Sequence, residues 1–373
     1  MMIENEAHPV RVLIVAPSLR YVGGQAIQAQ RLLRYLQGEK WAIADFLPVD
    51  PVLPAPLDLL QRIKIVRTVV TSIAYLTSLV RTVPRYHVIH AFSASYWSFL
   101  LAPAPAILVA RLLGKRVIVN YRSGEADDHL RRWGWHARPL LGLASLIVVP
   151  SMYLVQVFKQ FKLAAEVVPN FLDLDQLPYR RRVVVRPRFL SNRNFEIHYN
   201  VAAVLRAFGE IQRVHPDAEM DVVGDGPLKV ELHALASALK LRNVQFIGQV
   251  KPEGMAAFYE KNDIYLNSPT IDNMPNSVIE AFATGVPVVS SDAGGIPFIV
   301  RDGENGLLAP SGDADALARA ALRLLSDSGL AVRLADQARA EAISRYSWGA
   351  ARDGWKQAYS GVSDTAVAEA KQR

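Results

Sequence analysis

The chain of 373 residues contains no cysteine. That absence excludes disulfides, a thiolate nucleophile and any Cys-ligated metal, and it removes the small disulfide scaffold from the possible classes. No secretory leader is expected from the start, which reads M-M-I-E-N-E-A-H-P: acids stand where a leader would carry bases, and a strand pattern follows directly. No zinc-finger spacing and no aromatic ladder of the kind that reads nucleic acid occurs, so no nucleic-acid partner is expected. No uncharged run has the make-up of a membrane span. Residues 68–80 are too few. Residues 91–110 are long enough, but Pro103 and Pro105 interrupt them, His and Ser polarise their start, and a strand follows at once, so a buried helix behind a loop is expected. Acids are outnumbered, 35 against 42 bases, which leaves a net charge of +7 and an attraction to anionic substrates or an anionic membrane surface.

The hydrophobic fraction of 51% supports sizeable cores, and the length suits two domains. Apolar strands alternate with helix-length segments along the whole chain, which is the signature of a parallel α/β architecture. The first strand, V-R-V-L-I-V-A at 10–16, is nearly continuous in apolar character, as a central parallel strand should be. Gly23 and Gly24 in the loop after it permit a tight turn, but the third glycine of the dinucleotide fingerprint is absent. The strand at 115–121 opens into the polar loop R-S-G-E-A-D-D-H-L. Arg122, Ser123, Glu125, Asp128 and His129 are candidates there: Arg122 as an anion ligand, His129 as a base or a helix cap. Residues 57–83 read as one or two very apolar helices bracketed by Arg62, Lys64, Arg67, Arg81 and Arg85. They either pack on the first sheet or lie on a membrane surface. A second basic cluster, Arg180, Arg181, Arg182, Arg186 and Arg188, falls at the expected domain junction.

The chain is organised around residues 265–310, which begin Y-L-N-S-P-T-I-D-N-M-P-N-S-V-I-E-A-F-A-T-G-V-P-V-V-S-S-D-A-G-G-I-P. This reads as strand, loop, helix, strand. Pro275 suits the first helical turn and Gly285 the C′ position. Ligands of open α/β sheets bind at the carboxyl ends of the strands, and the helix-start amides at 276–279 are available to an anion. Glu280 lies one turn deeper, where an anion would repel it, and is better placed to accept hydrogen bonds from a diol such as a ribose. Asp272, eight residues earlier, can meet a second polyol. An anion seat between two polyol acceptors is the outline of a nucleotide-sugar site.

That stretch resembles the family 4 glycosyltransferases. The likeness rests on Asp272 and Glu280 eight positions apart, G-V-P-V-V at 285–289 and the turn at Gly294-Gly295. It covers roughly residues 10–359. It implies the GT-B fold: two Rossmann-like α/β/α domains facing each other across a cleft, with a C-terminal helix crossing back to the first domain. The corresponding boundaries are 1–180 for an acceptor-binding domain, 181–343 for a nucleotide-sugar domain, 344–360 for the crossover helix and 361–373 for a flexible tail, with Asn170 at the hinge.

The resemblance further implies a retaining, metal-independent transferase that moves a sugar from a UDP- or GDP-type donor to a glycan, glycolipid or lipid-linked acceptor in bacterial polysaccharide or envelope synthesis. By that likeness Glu280 holds the donor ribose and Asp272 faces the sugar. Backbone around Asn273, Met274, Pro275, Asn276 and Ser277 approaches the sugar and its phosphates. Arg193 holds the diphosphate, the G-D-G-P turn with Gly224 and Gly226 lies beside the nucleotide, and Gly248 meets the base. Gly24 and Gln25 approach the phosphates or the acceptor. Two departures stand out: Arg122 replaces the family's usual His, and His198, followed by Tyr199, replaces its usual Lys. Catalytic candidates are therefore Arg193, Asp272 and Arg122. Asp173-Leu174-Asp175 lies at the junction rather than after a strand, so no obligatory metal and no further cofactor are expected. The expected location is cytoplasmic, with contact to the inner face of the cell membrane. Competing readings are a catalytically silent subunit that partners an active transferase, a GT-B epimerase or phosphorylase, and a plain structural scaffold.

Overall fold

The computed structural model describes residues 9–20, 23–55 and 63–361. The first eight residues, the loop tip at 21–22, the beginning of the 57–83 segment and the expected frayed tail beyond 361 lie outside the described residues. The chain divides into two compact units. The first comprises residues up to Pro150, 154–168 and those from Ala351 onward; the second comprises 151–153 and 169–350.

In the first unit six strands lie parallel: β1 (Val10–Ala16), β2 (Ala42–Pro48), β3 (Val88–Ser93), β4 (Arg116–Tyr121), β5 (Leu146–Val149) and β6 (Glu166–Val167), in the order β2-β1-β3-β4-β5-β6. Each parallel step needs a crossover. These are carried by α1 (Gly24–Gln37), α2 (Lys64–Thr82), α3 (Tyr96–Leu101), α4 (Pro103–Leu112), α5 (Ala126–Arg132), α6 (Gly134–Gly142) and α7 (Met152–Gln160). Residues 12–16 of β1 are all buried, which the apolar run requires of a strand covered on both faces. The uncharged stretch 91–110 is the end of β3 followed by two short helices, with Pro103 opening the second. Among the described residues no helix is long and apolar enough to cross a membrane. The packing reading of 57–83 holds for one face only: α2 buries Tyr75 and Leu79 but exposes Val69, Ile73, Leu76 and Val80.

The second unit repeats the plan with β7 (Arg188–Asn192), β8 (Glu219–Val223), β9 (Val244–Gly248), β10 (Ile264–Asn267), β11 (Val288–Ser291) and β12 (Leu307–Ala309), parallel in the order β12-β11-β10-β7-β8-β9. Its helices are α8 (Val201–Val214), α9 (Lys229–Ala238), α10 (Met255–Lys261), α11 (Asn276–Thr284), α12 (Ala314–Ser326) and α13 (Ser328–Arg345). Strand order reverses between β7 and β10 here, and between β1 and β3 in the first unit. Such reversals splay the connecting loops apart and open a crevice at the strands' carboxyl ends.

The last helix, α14 (Trp348–Ser360), carries residues 351–360 onto the first unit. There the Tyr359 hydroxyl meets His90 Nδ1 at 2.7 Å and Arg352 Nε pairs with Glu39 Oε1 at 2.9 Å. Asn120 Nδ2 donates to His90 Nε2 at 3.1 Å, so the proton of this neutral imidazole sits on Nδ1 and points to Tyr359. Burial, with Arg122 nearby, pushes the His90 pKa down to about 3.

The junction arginines do not form an anion-seeking patch. Arg180 and Arg186 pair with the fully buried carboxylate of Asp263, Arg181 pairs with Asp336, and Arg188 faces Glu219 at 3.4 Å. Arg182, itself buried, spans the carbonyls of Asn262 and Thr284 at 2.9 Å each. A buried carboxylate needs charge and hydrogen bonds around it, and this run supplies both.

Candidate functional site

The reversal point of the second sheet lies between the carboxyl ends of β7 and β10. Arg193 follows β7 immediately, and the loop 268–275 leads from β10 into α11. Pro275 is the N-cap of α11 rather than part of its first turn. Its ψ of 119° keeps it extended, and its carbonyl accepts the Ile279 N–H at 3.4 Å, so Asn276 is the first helical residue. Gly285 closes the helix at φ +73° as expected; a Cβ there would lie 2.9 Å from the Arg180 carbonyl.

Arg193 is nearly buried and binds two groups across the crevice. One Nη donates to the Asp272 carboxylate and the other to Ser277 Oγ at 3.2 Å. Its guanidinium also stacks on Tyr199, 4.0 Å from the ring centre. Burial alone would lower its pKa, but Asp272, with Tyr199 and Tyr265, raises it. Tyr265 donates to the same Ser277 oxygen at 2.8 Å. Two donors on one hydroxyl oxygen leave its own hydrogen to be given to a third group. Ser277 stands in the first turn of α11, among amides that find no carbonyl inside the helix.

Glu280 sits one turn further, half-buried. Its Oε2 accepts from the Tyr259 hydroxyl at 2.8 Å, which in turn accepts from Asn192 Nδ2 at 2.9 Å. Burial, then the Glu280 charge, raise the Tyr259 pKa well above its ordinary value, so this hydroxyl stays a donor. Buried side-chain atoms without a partner among the described residues include Ser191 Oγ, Asn192 Oδ1, Arg193 Nε, Asn267 Oδ1 and Asn273 Nδ2. All belong to the ends of β7 and β10 or the loops that follow. Buried polar atoms are usually satisfied, so their concentration here marks a place where polar groups are kept for something other than the chain.

The loops are held by backbone-to-backbone contact that only glycine permits. A Cβ on Gly224 (φ +151°) would stand 2.0 Å from the Arg193 carbonyl, and one on Gly226 2.8 Å from that of Phe195. The G-D-G-P turn therefore makes room first for the 193–195 backbone. A Cβ on Gly294 or Gly295 would strike the carbonyl of Asp272 or Asn273, at 2.2 and 2.1 Å. Gly248 lies in open space and needs glycine only for its φ of +82°. Asn273 is buried and accepts from the Ser151 hydroxyl. Asn170 Nδ2 donates to the Met274 carbonyl at 3.1 Å and to Asn276 Oδ1 at 2.8 Å, fixing the loop at the helix start.

Arg193, Asp272, Ser277 and, through Tyr259, Glu280 are thus gathered in one crevice. Gly24, Gln25 and Arg122 belong to the first unit. Gly24 is exposed at the start of α1, and Gln25 Nε2 donates to the Ser93 carbonyl at 2.9 Å. Gln25 lines a cavity of about 520 Å³ with Pro17, Asp50, Thr71 and Phe92, at the reversal point of the first sheet. Arg122 lies over the Phe92 ring, 5.5 Å from its centre; burial, with Arg31 nearby, pushes its pKa down to about 9. His129 is neither a cap nor an exposed base. It is fully buried, stacked on Tyr121 and 2.7 Å from that hydroxyl, and burial lowers its pKa to about 4. The ring of Tyr199 and the hydroxyls of Tyr259 and Tyr265 escaped sequence reasoning; a tyrosine in a strand or helix reads as core, and only the fold aims its hydroxyl.

Solved structures cover nearly the whole chain. The Anabaena protein HepE, solved in complex with UDP-glucose, aligns over 94% of this chain and 99% of its own with a TM-score of 0.74 at 17% identity. Sucrose-phosphate synthase from Thermosynechococcus elongatus aligns over 94% and 98%, also at 0.74, with 20% identity. The chain has the GT-B fold. In the second unit the family described as "Glycosyl transferases group 1" matches residues 182–341. Phosphatidyl-myo-inositol mannosyltransferase of Mycobacterium leprae is 32% identical over 188 residues, 48% of this chain and 49% of that protein. The chain spans about half the length of the curated relatives it matches.

Proposed function

We propose that this chain is a retaining, metal-independent glycosyltransferase. It takes a sugar from a UDP- or GDP-type donor and passes it to a glycan, glycolipid or lipid-linked acceptor in the synthesis of a bacterial polysaccharide or envelope glycan. One observation carries the reading: Arg193 reaches the first turn of α11 through Ser277, and Glu280, tied to Tyr259, stands one turn beyond. A cation and open helix amides make a seat for a diphosphate. The carboxylate beyond it suits the uncharged ribose diol. The family match over 182–341 and the nucleotide sugar bound by HepE support the same reading.

On this reading Arg193, Ser277 and the helix amides stabilise the charge of the departing diphosphate, acting as donors fixed before the bond breaks. Asp272 keeps Arg193 oriented and faces the sugar. Arg122 and the cavity beside Gln25 serve the acceptor. The protein works as a peripheral protein against an anionic membrane. The test is turnover of UDP- and GDP-sugars in the presence of a chelator, with the product followed by NMR. The account predicts release or transfer of sugar with its anomeric configuration kept. Inversion, or a strict need for a divalent ion, would overturn it. Donor binding without turnover on any acceptor would mark a silent subunit.

A further inference from the structure

Between Asp58 and Glu125 the sequence contains no carboxylate, while it holds nine arginines and lysines. The described part of this segment includes α2, which packs on α4 and donates from the Tyr75 hydroxyl to the Ala102 carbonyl at 2.8 Å. One face of α2 stays outside this packing. Val69, Ile73, Leu76 and Val80 follow spacings of four, three and four, so they form one stripe along the helix, roughly 16 Å long. They are 54%, 60%, 46% and 52% exposed, and on α4 Leu108 and Leu112 are 43% and 85% exposed. Arg81 follows the last residue of the stripe and Arg111 stands beside Leu112, both exposed, while Arg67 lies on the other side of the helix.

The side of α2 turned from this stripe is different in kind. Thr68, Thr71 and Ser72 line the cavity at the reversal point of the first sheet. One helix therefore presents aliphatic side chains outward and hydroxyls toward a polar cavity.

We propose that the exposed stripe of α2, with Leu108 and Leu112 of α4, seats the first unit on an anionic lipid bilayer. The aliphatic groups enter the interface and the flanking arginines meet the headgroups. The inference deepens the peripheral reading above and names its surface. It depends on no donor chemistry. A second copy of this chain is a poor occupant of the same face: it would bring a matching set of cations with no acid in the segment to neutralise them. A neutral surface would leave the arginines without partners.

Co-sedimentation with lipid vesicles tests this. The full chain is expected to sediment with phosphatidylcholine vesicles that contain phosphatidylglycerol, to stay in solution with phosphatidylcholine alone, and to be released by salt. The double variant Ile73→Glu/Leu76→Glu should stay in solution with both while keeping its melting temperature and its donor-induced thermal shift. Arg81→Glu should weaken binding on the order of tenfold, since each cation near such a surface is worth about fivefold and the reversal adds repulsion. A Leu76→Trp probe should shift its emission to the blue on the anionic vesicles. Sedimentation unchanged in the double variant, or none by the parent chain, overturns the proposal. So does a self-association in solution that the double variant abolishes, which would assign the face to a second copy.

Discussion

Arg193 and Asp272 are opposite charges that meet where water is largely excluded, and the carboxylate holds the guanidinium charged against its burial. Replacing Asp272 by Asn leaves an acceptor for the guanidinium but removes the charge that restrains it. The expected result is affinity for free UDP or GDP that does not fall, with turnover of the nucleotide sugar reduced at least about tenfold; calorimetric titration and a product assay read the two separately. The pairing itself was not legible. The sequence placed Arg193 and Asp272 in two loops of one site and assigned them to phosphate and sugar. That they bind one another, and that Tyr199, next to the His198 that replaces the family's lysine, stacks on the guanidinium, depends on loop conformations that spacing does not encode. Buried histidines behave alike in this respect. His90 has a folded pKa of about 3, below the ordinary 6.5. Its lowered value means that the unfolded chain binds the proton first as pH falls, so stability is lost progressively from about pH 6.5 down to about pH 3. His90→Phe should melt lower than the parent at neutral pH but show a flatter decline over that window, as thermal denaturation against pH will record.

At the scale of elements, strands and helices follow the apolar pattern closely. β1 coincides with the apolar run that announces it, and α12 begins after Asp313, whose carboxylate accepts from the Ala316 N–H at 2.8 Å. Local signals suffice there because the period and the cap lie within a few residues of each other. Less legible was the reason for each glycine. The resemblance placed Gly224 beside the nucleotide, yet it admits the backbone of Arg193, as Gly294 admits that of Asp272. Gly224→Ala should therefore cost about 2–4 kcal/mol of stability, since both the contact and the positive φ oppose it. Gly248→Ala, strained by φ alone, should cost about 1–2 kcal/mol. Chemical denaturation of the two variants checks the difference. The arginine run at the junction misled for a similar reason. Its main partner, Asp263, lies about eighty residues away, and nothing near the run announces it.

In the whole molecule, the alternation of apolar strands and helices announced a parallel α/β architecture, the family resemblance implied two such units, and the two six-stranded sheets and the alignment to HepE over 94% of the chain agree with both. The order of strands within each sheet was not readable from that alternation, yet it sets where function falls. The second sheet reverses between β7 and β10, and every group assigned to the donor's diphosphate and ribose follows one of those two strands. Glu280 is the member of that set whose loss leaves the ion pair of Arg193 and the helix start in place. Calorimetric titration of UDP- and GDP-sugars into the parent chain and into Glu280→Ala is therefore the most direct measurement. A charged acceptor lost from a diol should weaken donor binding by about 10–100-fold with the melting temperature of the free protein little changed. Equal affinity of the two proteins for the same donor would contradict the account.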